Sequence, residues 1–305
     1  MKNVITIGGG NGTALTLAAL KRYADTLDIS AVISTSDSNG SSGRLREEFK
    51  TLPAGDILRA VLALASYDGE LLRKIFYEKR FTDTGGLDRH NLGNLWLTLG
   101  AKYAGDYISA IRALEQVVEA VGHVYPVTKE AGTLVAELSD GQHIVSEGSV
   151  DIPTYDRTLR IRRAWLEPAI PADTEALRVI EEADTIILGP GSLYTSIITT
   201  LLPLGVGEAL TKSSAKIICV AGNTYKTNGE TGPTTLSEYV QELQQYVPRR
   251  IDTVLYGVSR QTDAGRMNMD TEGLKEYHLV AADIEEGMGV YSPQRLGEVL
   301  LQCIM

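Results

Sequence analysis

Short apolar runs alternate along the chain with segments of helical spacing. VITI (4–7), ISAVIS (29–34), TIIL (185–188), IICVA (217–221) and TVLYGV (253–258) are too short for helices and are apolar at nearly every position. A parallel strand needs such a run when helices cover both faces of its sheet. Residues 55–118 read mostly as helix, with LRAVLALAS and NLWLTLGAKY placing apolar residues at helical intervals. The texture changes over 121–166, where HVYPVT, GTLVAEL, HIVSEG and TLRIRRAWL read as consecutive strands broken by turn residues. The pattern predicts an α/β fold: a doubly wound, mainly parallel sheet in one domain over 1–305, with a small β-rich insertion at 121–166.

Ligands of open α/β sheets bind beyond the carboxyl ends of the strands, so the loops after these runs are the places to look for chemistry. After VITI the chain reads GGGNGT, Gly8, Gly9, Gly10, Asn11, Gly12 and Thr13. Backbone without Cβ atoms at the start of a helix suits an anion, a phosphate above all. The dinucleotide pattern G-x-G-x-x-G is not met, because Thr13 stands where the third glycine belongs. A tight turn without a guest explains the same residues. After ISAVIS the segment 34–49 supplies Asp37, the hydroxyls of Ser41 and Ser42, the backbone of Gly43, and the guanidinium groups of Arg44 and Arg46. These suit phosphate, ribose or a hydrated cation, and equally a solvated surface loop. After TIIL, Gly189-Pro190-Gly191-Ser192 repeats the first design and leads into Tyr194, Thr195 and Ser196. Two such turns suggest a ligand with two phosphates, or a phosphate and a sugar.

Other polar positions carry less. His90, Asn91 and Asn94 stand near the start of an apolar helix, with His90 and Asn94 spaced to share a face. Asp56 is placed to cap a helix, and Asn223 follows a buried strand. The chain has no G-x-x-x-x-G-K-[ST] loop, no H-E-x-x-H pair and no G-x-S-x-G elbow. The excess of 39 acidic over 29 basic residues, a net charge of -10, argues against general nucleic-acid binding. Two cysteines, Cys219 and Cys303, without ligand spacing, fit a reduced cytoplasmic protein, and no run reaches membrane-spanning length.

Taken in order, GGGNGT, SDSNGSSGRLR, LPAGD, HNLGN, LEP, GPGSLYTSI and NGET resemble the YvcK/CofD-like family, often labelled gluconeogenesis factor. The resemblance implies a Rossmann-like fold and two functional branches. YvcK-type members bind UDP-sugars and affect central carbon metabolism and cell shape. CofD-type members are magnesium-dependent transferases that move phospholactate to a deazaflavin. GSSGRLR, HNLGN and GPGSLYTSI are closer to the first branch. By resemblance, Gly8–Thr13 and Gly189–Ser196 fall on phosphate loops, and Asp37, Ser41–Arg44 and Arg46 on the second loop. Asp56, His90, Asn91, Asn94 and Asn223 fall on the remaining polar positions. The chain departs where the family reads Asp-Asp-Gly-Gly and this sequence has Asp37-Ser38-Asn39-Gly40, which weakens a metal site. It also has Lys226-Thr227-Asn228 where many members have Thr-Gln-Pro.

The leading expectation is a nucleotide-sugar-binding regulator that needs no cofactor and has neither nucleic acid nor membrane as partner, with self-association left open. The alternative is a transferase in which Asp37 and Asp56 place magnesium. An NAD-dependent oxidoreductase is disfavoured by Thr13 and by the lack of an acidic residue closing ISAVIS.

Overall fold

Successive residues of the central strands enter opposite hydrophobic cores, which is why those strands are apolar throughout. In the computed structural model Val4 packs on one face and Ile5 and Ile7 on the other, and Ile187 and Ile218 face away from Ile186 and Ile217 in the same manner. The structure describes all residues except 39, 68, 225–228, 259–264 and 288.

The strands are β1 (Lys2–Gly8), β2 (Leu27–Ile33), β3 (Gly122–Pro126), β4 (Thr133–Leu138), β5 (His143–Val145), β6 (Ile161–Glu167), β7 (Thr185–Leu188), β8 (Lys216–Val220), β9 (Thr253–Gly257), β10 (His278–Ala282), β11 (Glu285–Gly287) and β12 (Val290–Tyr291). Seven form one sheet in the order β10-β9-β8-β7-β1-β2-β3, with every neighbouring pair parallel. The helices are α1 (Gly10–Leu20), α2 (Gly40–Phe49), α3 (Gly55–Leu64), α4 (Gly69–Arg73), α5 (Leu92–Ala104), α6 (Tyr107–Val117), α7 (Glu147–Asp151), α8 (Thr174–Glu181), α9 (Thr199–Leu201), α10 (Val206–Lys212), α11 (Leu236–Gln244) and α12 (Pro293–Ile304). Leu17 of α1, Ile57 and Val61 of α3, Leu114 of α6 and Leu300 of α12 cover one face. Ile180 of α8, Leu210 of α10 and Val240 of α11 cover the other, together with Leu134 and Ala164 of the small antiparallel sheet β5-β4-β6. Among the described residues no helix is long and apolar enough to cross a membrane.

Two expectations change. HVYP, read as the first strand of the insertion, is the edge strand β3 of the main sheet, in register with β2 from Ile29↔Gly122 to Ile33↔Pro126. The backbone permits this because Gly122 lies where a Cβ would meet the Ile29 carbonyl at 2.4 Å. The antiparallel strands therefore run from Thr133 to Glu167. The segment 34–49, read as a loop, winds into α2 from Gly40.

The topology fixes where a ligand can enter. From β1 the chain moves to β2 and β3 on one side, then returns through the insertion to β7 on the other side of β1. The carboxyl ends of β1 and β7 thus form a switch point, and the turns after them are GGGNGT and GPGS.

Candidate functional site

The two glycine turns touch. A Cβ on Gly12 would lie 2.0 Å from the Pro190 carbonyl, so only glycine allows this approach. Buried Thr16 Oγ1 joins them again by donating to the Gly189 carbonyl at 3.2 Å. Gly8, at φ +155°, turns the chain out of β1, and a Cβ there would meet Thr13 Oγ1 at 2.6 Å. Gly8, Thr13 and Gly189 therefore shape the turns, while Gly9, Gly10, Asn11 and Gly12 face a cavity of about 470 Å³ with Gly191, Ser192, Thr195 and Ser196 opposite.

The first turn meets one carboxylate. Asp56, in the first turn of α3, accepts from the Gly10 N–H and pairs with Arg59 one helical turn on. Loss of hydration pushes its carboxyl above the usual range, opposed by Arg59. Arg59 Nε also donates to Tyr77 Oη at 2.8 Å, and both line the cavity beside Arg80.

The third turn is held more tightly. The Glu230 carboxylate accepts from the N–H groups of Leu193, Tyr194 and Thr195, the last at 3.2 Å, and from Thr195 Oγ1 at 3.4 Å. The helix start expected to receive a phosphate is thus held by the chain's own anion. The turn that follows is wide: Ile197 N–H donates to the Ser192 carbonyl five residues back, a geometry recurrent at functional sites. Tyr194 is buried in the core, its hydroxyl donating to the Ile161 carbonyl at 3.4 Å, and does not face the cavity.

The far wall comes from α2, α5 and the insertion. Asp37, Ser41 and Ser42 face the cavity with Asn91 and Asn94. Asn91 caps α5: its Oδ1 accepts from Asn94 N–H at 2.8 Å and its Nδ2 donates to the Tyr77 carbonyl at 3.1 Å. Asn94 Nδ2 donates to Ser41 Oγ at 3.0 Å, which lies 2.8 Å from His90 Nδ1. His90 precedes the Asn91 cap and lies outside α5, so it shares no helix face with Asn94; the two meet at Ser41 Oγ, and buried His90 positions Ser41 from behind the wall. Burial, then the Arg44 charge, lowers its pKa. From the insertion, α7 adds Glu147 and Asp151 to the wall. Burial and repulsion from Asp37 push the Glu147 carboxyl up to about 8, against the Ser38 N–H that it accepts.

Arg44 and Arg46, expected to meet phosphate, lie elsewhere. Ser41, Ser42 and Leu45 take the inner face of α2, which turns Arg44 outward, near the Asp88 carbonyl. Arg46 donates to the Gly132 carbonyl at 3.0 Å and lines a smaller pocket of about 250 Å³. Gly43 packs where a Cβ would meet the Ser38 carbonyl at 2.2 Å. Asn223 borders a second cavity of about 300 Å³ with Tyr239, Met267 and Tyr291, and this cavity shares Asn11, Gly12, Gly191 and Ser192 with the first. Asn223 Nδ2 donates to Glu285 at 2.7 Å. Asn39, Lys226, Thr227 and Asn228 lie outside the described residues. Among the described residues no three acidic, histidine or cysteine groups gather in a metal-holding arrangement. Asp37 and Asp56 line the same cavity and Asp37 repels Asp56, whose carboxylate pairs with Arg59 and accepts from the Gly10 N–H.

Paired glycine turns at the switch point of a doubly wound parallel sheet define an α/β protein of Rossmann-like class. The chain belongs to the CofD family: the family model described as 2-phospho-L-lactate transferase CofD matches residues 4–294. It is 38% identical over 283 residues to a putative gluconeogenesis factor of Thermotoga maritima, covering 93% of this chain and 85% of that one. It is 36% identical to the gluconeogenesis factor of Bacillus subtilis, with 93% and 86% covered. The crystal structure of a UPF0052 family protein from Bacillus halodurans superposes with a TM-score of 0.89 at 30% identity, covering 98% of each chain. The expected family and fold class are therefore correct, and the gluconeogenesis-factor relatives support the YvcK-like reading.

Proposed function

We propose that the protein binds a nucleotide-sugar, a UDP-sugar first, and acts as a regulator of central carbon metabolism and cell shape in the cytoplasm. The observation that carries this reading is the pair of cavities meeting across the two glycine turns. One is polar and about 470 Å³, the other is bordered by aromatic and apolar side chains and about 300 Å³. A diphosphate set over Gly10–Gly12 and Gly191–Ser192 has room for a different group at each end. Backbone N–H groups at the start of α1, the positive end of its dipole and the nearby Arg80 favour the anion. An NAD-type ligand is disfavoured because Thr13 stands where the dinucleotide pattern has its third glycine, and β2 ends at Ile33 with its first carboxylate, Asp37, four residues further on.

Calorimetric titration with UDP-N-acetylglucosamine, GDP and NAD in excess chelator tests the reading. Tightest binding by the UDP-sugar is expected. Absence of nucleotide binding overturns it, and magnesium-dependent transfer of phospholactate to a deazaflavin establishes the transferase instead.

A further inference from the structure

Helix α1, GNGTALTLAAL, carries no charged side chain, yet only part of its circumference packs into the core. Leu17, Ala19 and Leu20 are buried, while Ala14, Leu15 and Ala18 stay half-buried. A surface helix ordinarily turns polar residues outward. Here the outward stripe is the floor of a groove of about 670 Å³, walled by Leu62 and Ala63 of α3 and by Val290 and Pro293. Covering such a floor with an apolar guest releases the water over it.

Charge narrows the guest. The chain has a net charge of -10, but among the described residues lining the groove Lys21, Arg59 and Arg73 stand against one carboxylate, Glu70. Arg59 pairs with Asp56, Arg73 with Glu78 and Glu70 with Lys74, so these charges are already balanced. Lys21 is not. It follows directly on α1, is half-buried, and donates to the Ala65 carbonyl at 2.8 Å, a neutral acceptor, with no ion-pair partner among the described residues. An ammonium has three donors, and loss of hydration holds this one below its ordinary pKa. An anion beside it supplies the missing counter-charge. A wholly apolar guest leaves Lys21 as it is, and a bare phosphate leaves the floor uncovered.

We infer that the groove along α1 binds an amphipathic anion, an aliphatic chain lying on Ala14, Leu15 and Ala18 with its carboxylate or phosphate at Lys21. Its guest adjoins the polar cavity, because Arg59 and Tyr77 line both, with the Arg59 guanidinium 5.3 Å from the Tyr77 ring centre. The inference does not depend on the nucleotide reading, since Ala14, Ala18 and Lys21 border neither glycine-turn cavity.

Calorimetry on the full chain with octanoate, octyl phosphate and uncharged octanol tests this, in wild type, Lys21→Gln and Ala18→Glu. Lys212→Gln on α10, where Lys212 pairs with Glu181, is the remote control. At least one anion should bind about tenfold or more tighter than octanol, and the tighter of the two names the head group. Lys21→Gln should remove most of that preference while leaving octanol within about twofold, and Ala18→Glu, which sets a carboxylate on the floor, should weaken the anions by about tenfold or more. Lys212→Gln should change neither. No binding by either anion, octanol bound as tightly as both, or anion affinities unchanged in both groove variants overturn the site. So does simple competition between the anion and UDP-N-acetylglucosamine, which gives the groove to the nucleotide. A protein that binds the anion as described and no nucleotide upholds the groove and refutes the nucleotide reading alone. Should Ala18→Glu fail to fold, Lys21→Gln, read as anion against octanol, decides the matter.

Discussion

The two glycine turns at the switch point are nearly alike in sequence and differ in electrostatics. After β1, a single carboxylate, Asp56, takes the Gly10 N–H at the start of α1. After β7, Glu230 takes the three N–H groups of Leu193–Thr195 and the Thr195 hydroxyl besides. A glycine-rich helix start is an anion site only when its donors are still available, and the partner that decides this is remote in sequence. On this comparison the proposed diphosphate belongs at the first turn, and the third is a wall kept in place by the chain's own anion.

The strongest way to break the comparison is to separate the turns. Gly12→Ala drives a Cβ to 2.0 Å from the Pro190 carbonyl, which is backbone and cannot swing aside. A loss of about 3 kcal/mol is expected in urea denaturation, with loss of nucleotide binding. A variant of wild-type stability would show that the turns do not need this approach.

Glu230→Ala sharpens it next, by removing the anion from the third turn. The lost charge-assisted hydrogen bonds should cost about 2 kcal/mol, and the freed N–H groups should take up inorganic phosphate beyond what wild type is expected to bind at the first turn. Unchanged stability together with unchanged phosphate stoichiometry contradicts the capped-turn account.

A smaller effect follows from the acidic wall. The Glu147 carboxyl is raised from its ordinary 4.5 to about 8. Between those values the folded chain holds a proton that the unfolded chain releases. Stability that Glu147 supports is therefore complete below about pH 4.5 and lost as pH rises through about 8. Glu147→Gln keeps the neutral form and should exceed wild type above pH 8 by on the order of 1–2 kcal/mol, discounted for partial exposure. Melting curves from pH 5 to pH 9 that run parallel for the two proteins refute this.

The smallest expected effect belongs to Arg44→Ala. Arg44 is exposed on the outer face of α2. Its removal should change stability by less than about 0.5 kcal/mol and nucleotide affinity by less than about twofold. A loss of about tenfold or more in nucleotide affinity would place its guanidinium on the ligand.

The sheet was legible where burial on both faces forces a continuous apolar run, as in β1, β2, β7, β8 and β9. β10 was not, because at the sheet edge His278–Ala282 carries exposed and half-buried residues and its run loses contrast. HVYP looked like its antiparallel successors because strand residues do not reveal their partner. Within the site the glycine turns stood out, since glycine runs have few other uses. Arg59 was hidden in LRAVLALAS, where it reads as the polar side of a core helix. Its spacing to Asp56 was the available signal, an i,i+3 ion pair. Glu230 stood in the quoted NGET, and Glu147 and Asp151 in the insertion. Nothing local ties them to turns 37 or 109 residues away. Arg44 misled for the opposite reason: its loop-like neighbours, Ser41 to Gly43, form a helix that buries the serines and turns the arginine out.

The central claim is that a diphosphate-linked sugar lies across the first turn with one group in each cavity. Its most direct test is the melting temperature of the full chain in excess chelator with UDP-N-acetylglucosamine against NAD at equal concentration. A ligand that binds only the folded state at a hundredfold excess over its Kd adds about 2.7 kcal/mol. The account predicts a clear upward shift with the UDP-sugar and a smaller one with NAD. No shift with either, or an equal or larger shift with NAD, contradicts it.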